Sequence, residues 1–131
     1  MIDRIFLWIN AAVIGGIGLT YLYDPNLLLG SYGLNVGNVG IDNMMRATYG
    51  GLFLGLAFLL ARGALKVAQH REALLLATLI MAGLAIGRLA SLLGAGVPPS
   101  GLYGLLFYEA VVALIGGLLL FRKRPGTILT D

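Results

Sequence analysis

Long uninterrupted apolar runs separated by polar connections dominate the pattern along the chain. They cover residues 5–23, 44–61, 73–93 and 102–121. Each is close to the ~20 residues a helix needs to cross a ~30 Å hydrocarbon core. The period-two alternation of a membrane barrel is absent, so the expected class is all-α, an integral membrane four-helix bundle. Residues 1–131 are read as one domain. The first run follows Arg4 and contains small residues, as a signal peptide does, but its length favours a span.

The connections predict orientation. Arg4 precedes the first run, Arg62, Lys66 and Arg71 lie between the second and third, and Arg122, Lys123 and Arg124 follow the fourth. Seven of nine basic residues thus fall on one side, while the opposite connections, 24–43 and 94–101, hold no lysine or arginine. The bias of basic residues toward the cytoplasm then places both termini there. The outer connection 24–43 is long for a small bundle. Asp24-Pro25 stops the first helix, Leu27, Leu28 and Leu29 are too apolar for a free loop, and Asp42 or Asn43 is expected to cap the second helix. This segment reads as an interfacial connector or a lid over the bundle mouth.

Small residues spaced by four suggest close helix contacts. Gly51 and Gly55 follow Ala47 on the second helix, Gly83 and Gly87 lie on the third, and Gly117 follows Ala113 on the fourth. In lipid, such positions let backbones approach, because dispersion contacts must replace the hydrophobic effect. Spacing alone does not distinguish an internal seam from contact with another subunit.

Charges within the spans are costly and so define candidate functional residues. Arg46 starts the second run, Arg88 lies five residues before the end of the third, and Glu109 seven residues into the fourth. At 1.5 Å per residue these lie at similar depths below the outer face, roughly 10 Å or less. The short last connection makes the third and fourth helices antiparallel neighbours, so Arg88 and Glu109 are predicted to pair. Arg46 is expected to join them, with its surplus charge met by Asp42, Asp24, water or an anionic ligand. Tyr49, one turn from Arg46, and Ser91, one turn beyond Arg88, complete the candidate polar cluster. All six tyrosines lie toward this end; an interfacial aromatic belt is the expected reading, though it does not account for all six lying on one side. Tyr108 adjoins Glu109 and is expected to point elsewhere; Asn10 is expected to bond across helices, and His70 to be solvated.

Composition narrows the classes further. Hydrophobic residues make up 59% and charged residues 11%, too few polar groups to cover a water-facing surface. With no cysteine and one histidine, thiolate chemistry is excluded, and neither a metal site nor a cofactor is expected. The formal charge of +3 comes from residues at span ends, with no groove interleaving bases and aromatics, so no nucleic-acid partner is expected.

The segment Met45-Arg46-Ala47-Thr48-Tyr49-Gly50-Gly51, followed by Gly87-Arg88-Leu89-Ala90-Ser91 and a glutamate in the last span, resembles an uncharacterised bacterial family of small four-helix membrane proteins, the domain of unknown function DUF4345. The overall plan is also similar to the DoxX-like proteins. The resemblance implies a four-helix bundle in a bacterial inner membrane, makes Arg46, Arg88 and Glu109 family features, and implies no established activity.

Three functions fit these observations. The first is a non-catalytic accessory subunit or helix-packing partner in a larger membrane assembly or homo-oligomer. The alternative is a binder or carrier of a lipid, quinone or other amphipathic small molecule in an outward-facing polar pocket. The third is a membrane enzyme using Glu109 as acid or base.

Overall fold

The computed structural model describes residues 1–122; Lys123 and Arg124 of the basic C-terminal group lie outside the described residues. The described residues form six α-helices: α1 (Ile2–Tyr23), α2 (Asn26–Leu29), α3 (Val39–Met45), α4 (Leu52–Leu65), α5 (His70–Gly94) and α6 (Gly101–Phe121). A π-helical turn, Arg46–Gly51, joins α3 to α4 without a break. Four membrane-length apolar helices result: α1, the α3–α4 unit, α5 with the single turn before it, and α6.

Each helix starts earlier or ends later than its apolar run. Hydropathy marks the part compatible with lipid, whereas a helix continues through polar residues that satisfy its backbone. Thus α5 begins with His70, Arg71 and Glu72. His70 is buried rather than solvated, with Nδ1 3.1 Å from the carbonyl oxygen of Lys66. The second helix begins several residues before the expected cap, because Asn38, not Asp42 or Asn43, accepts the backbone N–H of Ile41 at 3.0 Å.

The bundle consists of two antiparallel helical hairpins. In the first, α1 packs along the π turn and α4: Gly18 lies against Gly50 and Leu54, and Gly15 against Ala57. In the second, α5 packs along α6, with Thr78 against Gly116 and Arg88 against Glu109. The hairpins meet most closely at the end holding the α4–α5 connection. There Gly63 abuts Ala73, Phe6 reaches Gly116, and the core includes Leu7, Leu60, Ala64 and Leu74. The buried face of α1, Phe6, Leu7, Asn10, Ala11, Ile14, Gly18 and Tyr21, follows the three- and four-residue spacing of one helical stripe. By contrast, α6 buries only Glu109, Val112 and Gly116, leaving large apolar residues such as Phe107, Leu114 and Leu118 exposed. An apolar surface of that extent suits lipid.

The close contacts fall on glycines other than those the spacing selected. A Cβ at Gly63 would collide with Ala73, one at Gly116 with Thr78, and one at Gly50 would lie 2.9 Å from Leu22. At Gly55, Gly83, Gly87 and Gly117 a Cβ would meet nothing within 4 Å, and at Gly51 only the carbonyl oxygen of Arg46 at 4.0 Å. These five are therefore not internal seams. Repeats of four recover a face of a helix but not which face turns inward.

Candidate functional site

The segment after α1 folds over the end opposite the basic connection. Asp24 is extended and its Oδ1 accepts the N–H of Asn26 at 2.9 Å, opening α2. The Asn26 side chain accepts in turn from the N–H of Val36 at 2.8 Å, tying the segment back on itself. A 3₁₀ turn, Gly30–Tyr32, follows α2 and ends at Gly33, whose φ of 71° suits glycine. Tyr32 seats against Gly101 at the start of α6, where a Cβ would come within 2.8 Å of its ring. The segment expected to be a long loop is thus partly helical and anchored at both hairpins.

Beneath it, the π turn shapes one wall of the bundle. The N–H of Leu52 bonds the carbonyl of Ala47, five residues back, so one extra residue is accommodated within the turn. Residues of this turn serve two sides of the bundle. Arg46 reaches the C-terminal end of α1, Gly50 makes the close contact with α1, and Tyr49 turns toward the bundle interior.

Arg46 does not join the expected charge cluster. Its Nε donates to Asp42 Oδ2 at 2.7 Å, one turn back, and its Nη1 donates to the carbonyl of Tyr23 at 2.7 Å and to that of Leu22. These carbonyls end α1 and lack intrahelical donors, so a guanidinium there satisfies them and complements the helix dipole. Asp42 accordingly belongs with Arg46 at the helix end and not with the interior cluster. Sequence depth put Arg46 at the right level, but the orphan carbonyls of α1 compete for it and are nearer.

Arg88 and Glu109 do meet. Arg88 Nε lies 2.7 Å from Glu109 Oε2 and 2.9 Å from Oε1, so one N–H is shared by both carboxylate oxygens. The Glu109 side chain is 5% exposed and that of Arg88 31%. Antiparallel pairing of α5 and α6 sets this contact, at six residues from the end of α5 and eight from the start of α6.

The pair forms part of the wall of a half-open cavity of about 350 Å³ to which all four long helices contribute. Tyr21 and Tyr49 line it with ring centroids 5.1 Å apart, and Tyr49 meets Phe53 edge-on at 5.5 Å. Ser91 lines it as well, and so do Gly83 and Gly87, whose missing side chains keep the α5 wall open. Tyr108 also faces the cavity, contrary to the expectation from its place beside Glu109. Its hydroxyl donates to Asn10 Oδ1 at 2.8 Å, while Asn10 Nδ2 donates to the carbonyl of Phe6 at 2.8 Å. Asn10 therefore bonds across the two hairpins at the floor. A smaller cavity of about 70 Å³, lined by Pro98, Leu102 and Tyr103, shares Arg88 and Ser91 with the larger one. Of the remaining tyrosines, Tyr23 and Tyr103 are exposed.

Sequence reasoning missed Tyr21, Tyr108 and the apolar lining residues Ile14, Ile17 and Met81. The available signal lay in their spacing: Ile14, Ile17 and Tyr21 fall on one face of α1. Among the described residues no group of three histidine, aspartate or glutamate side chains stands close enough to hold a metal ion.

Fold and site together define a small all-α protein with four membrane-length helices and a polar-edged cavity between two hairpins. The chain belongs to the family described as a domain of unknown function, DUF4345, whose model matches residues 2–120. No curated protein and no solved structure shows a significant match to it. The π turn coincides with the Arg46–Gly51 segment on which the resemblance to this family rests.

Proposed function

We propose that the protein is an integral membrane protein that binds an amphipathic small molecule, with both termini in the cytoplasm and the cavity opening toward the other side. The observation that carries this reading is the cavity itself. At about 350 Å³ it falls within the ~300–1,000 Å³ of small-molecule sites. Its chemistry is graded: Arg88, Glu109 and Ser91 provide polar contacts, while Ile14, Phe53, Met81 and Leu84 provide an apolar interior. A head group would contact the first set and a hydrocarbon tail the second. The basic residues Arg62, Lys66 and Arg71 are exposed at the opposite end, which supports the orientation. A bacterial inner membrane is the setting that fits this bias.

A second reading, an accessory subunit in a membrane assembly or homo-oligomer, is supported by Gly51 and Gly55. Both are exposed on one face of the second span and make no internal contact that requires glycine. The acid/base reading for Glu109 gains no activated neighbour, since the Tyr108 hydroxyl is bonded to Asn10.

Native mass spectrometry of the protein extracted gently from its own membrane separates the two supported readings. A discrete small-molecule adduct, lost when Arg88→Leu and Glu109→Leu are combined, is the outcome expected of the binder. Isolation with stoichiometric larger subunits and no adduct would replace it with the accessory role.

A further inference from the structure

Within that ligand-binding reading, on which this inference rests, we infer that the head group is an uncharged carbonyl rather than a phosphate or carboxylate. Charge is the first argument. Among the described residues, Arg88 and Glu109 are the only charged ones in the cavity lining, and they cancel. Arg46, the next guanidinium, is engaged by Asp42 and the end of α1 and does not line the cavity. An anionic head would place a second negative charge beside Glu109 with one positive charge to share between them. Alternatively it would displace Glu109 from Arg88 and leave a buried carboxylate unpaired, which is the costly state for such a group.

Hydrogen-bonding capacity is the second argument. Only Nε of Arg88 is used by Glu109, and among the described residues its terminal nitrogens have no protein partner. The hydroxyls of Tyr21 and Tyr49 make no hydrogen bond to another described residue and are not buried away from accessible space, and both side chains line the cavity. A guanidinium donates and never accepts. Both Glu109 oxygens already accept from Arg88. The terminal nitrogens of Arg88 can only donate, and the Tyr21 and Tyr49 hydroxyls can donate as well as accept, so an acceptor in the head group satisfies them. A ketone, ester or similar carbonyl supplies one without disturbing the ion pair.

The test uses the full chain in lipid nanodiscs and four probes with the same dodecyl tail: 2-tetradecanone, tridecanoate, dodecyl phosphate and dodecane. Occupancy is read as adducts by native mass spectrometry. The ketone is expected to bind at least about tenfold more tightly than either anion. In Glu109→Gln the Arg88 charge becomes surplus, and the preference is expected to reverse toward tridecanoate and dodecyl phosphate. An anion bound as well as or better than the ketone by the unsubstituted chain overturns the carbonyl inference and leaves the ligand-binding reading standing. So does an unchanged preference in a folded Glu109→Gln. If no head group exceeds dodecane, the ligand-binding reading itself fails, and the inference with it. Should Glu109→Gln not fold, the series on the unsubstituted chain decides alone.

Discussion

Glu109 and Asn10 are the two buried polar side chains that tie α6 to the rest of the bundle, and they do so with different strength. Removing one partner of a buried ion pair costs about 3–5 kcal/mol, because the other is left unpaired. Glu109→Leu alone should therefore lower stability by about 3 kcal/mol, the low end, given that Arg88 retains partial exposure. Adding Arg88→Met should recover most of that loss, which denaturant titration in detergent would show. The interhelical bond from Tyr108 to Asn10 is weaker. Tyr108→Phe is expected to cost about 0.6 kcal/mol by the same measurement, the average for such bonds in a membrane bundle, whose maximum is about 1.7 kcal/mol. The Arg88–Glu109 contact was legible in the sequence because depth and the short last connection constrain it. The fate of Arg46 was not. Nothing local announces that a helix end from another part of the chain will claim a side chain, and the competing carbonyls of Leu22 and Tyr23 are invisible in a list of residue types.

At the scale of elements, the glycines give the clearest measurable contrast. Gly63→Ala should destabilise by about 1–3 kcal/mol, because the colliding group is the Ala73 methyl, which cannot rotate away. Gly55→Ala meets open space and replaces a poor helix former by the best one, so a gain of up to about 1 kcal/mol is expected. Thermal unfolding of the two variants side by side checks both signs. Four apolar runs predicted the four membrane-length apolar helices, since the length needed is fixed by the bilayer and composition is enough to read it. Helix ends were less legible because polar first turns, such as His70-Arg71-Glu72, leave no hydropathy signal. The π turn left none either. Its Gly50-Gly51 pair suggests close packing, but the extra residue has no marker in residue type.

For the whole molecule, the proposed orientation rests on the charge bias and can be tested directly. The chain has no cysteine, so a single introduced one reports its own side. In intact cells Asn35→Cys should be labelled by an impermeant maleimide, whereas Arg71→Cys should be labelled only after the membrane is opened. The reverse pattern would invert the orientation and place the cavity on the cytoplasmic side. The polar edge of the cavity, Tyr49, Arg88, Ser91 and Glu109, was among the candidates the sequence offered, whereas its apolar walls were not, because they depend on how the two hairpins are set against each other. Their contacts concentrate at Gly63–Ala73 and Phe6–Gly116, and the outer ends stand apart around Tyr21, Tyr49 and Arg88.

The hairpin architecture also bears on how the chain is made. Each hairpin is continuous in sequence, α1 through α4 and then α5 with α6, and each finds its principal partner within itself. A ribosome delivering this chain to a membrane would release the first pair, already matched, before the second had been translated. The contacts between hairpins, among them Gly63–Ala73, Phe6–Gly116, Asn10–Tyr108 and Tyr32–Gly101, would then remain to be formed. Two polypeptides divided at the exposed junction near Lys66 should accordingly recombine when co-expressed, the cavity forming last, at the moment of docking.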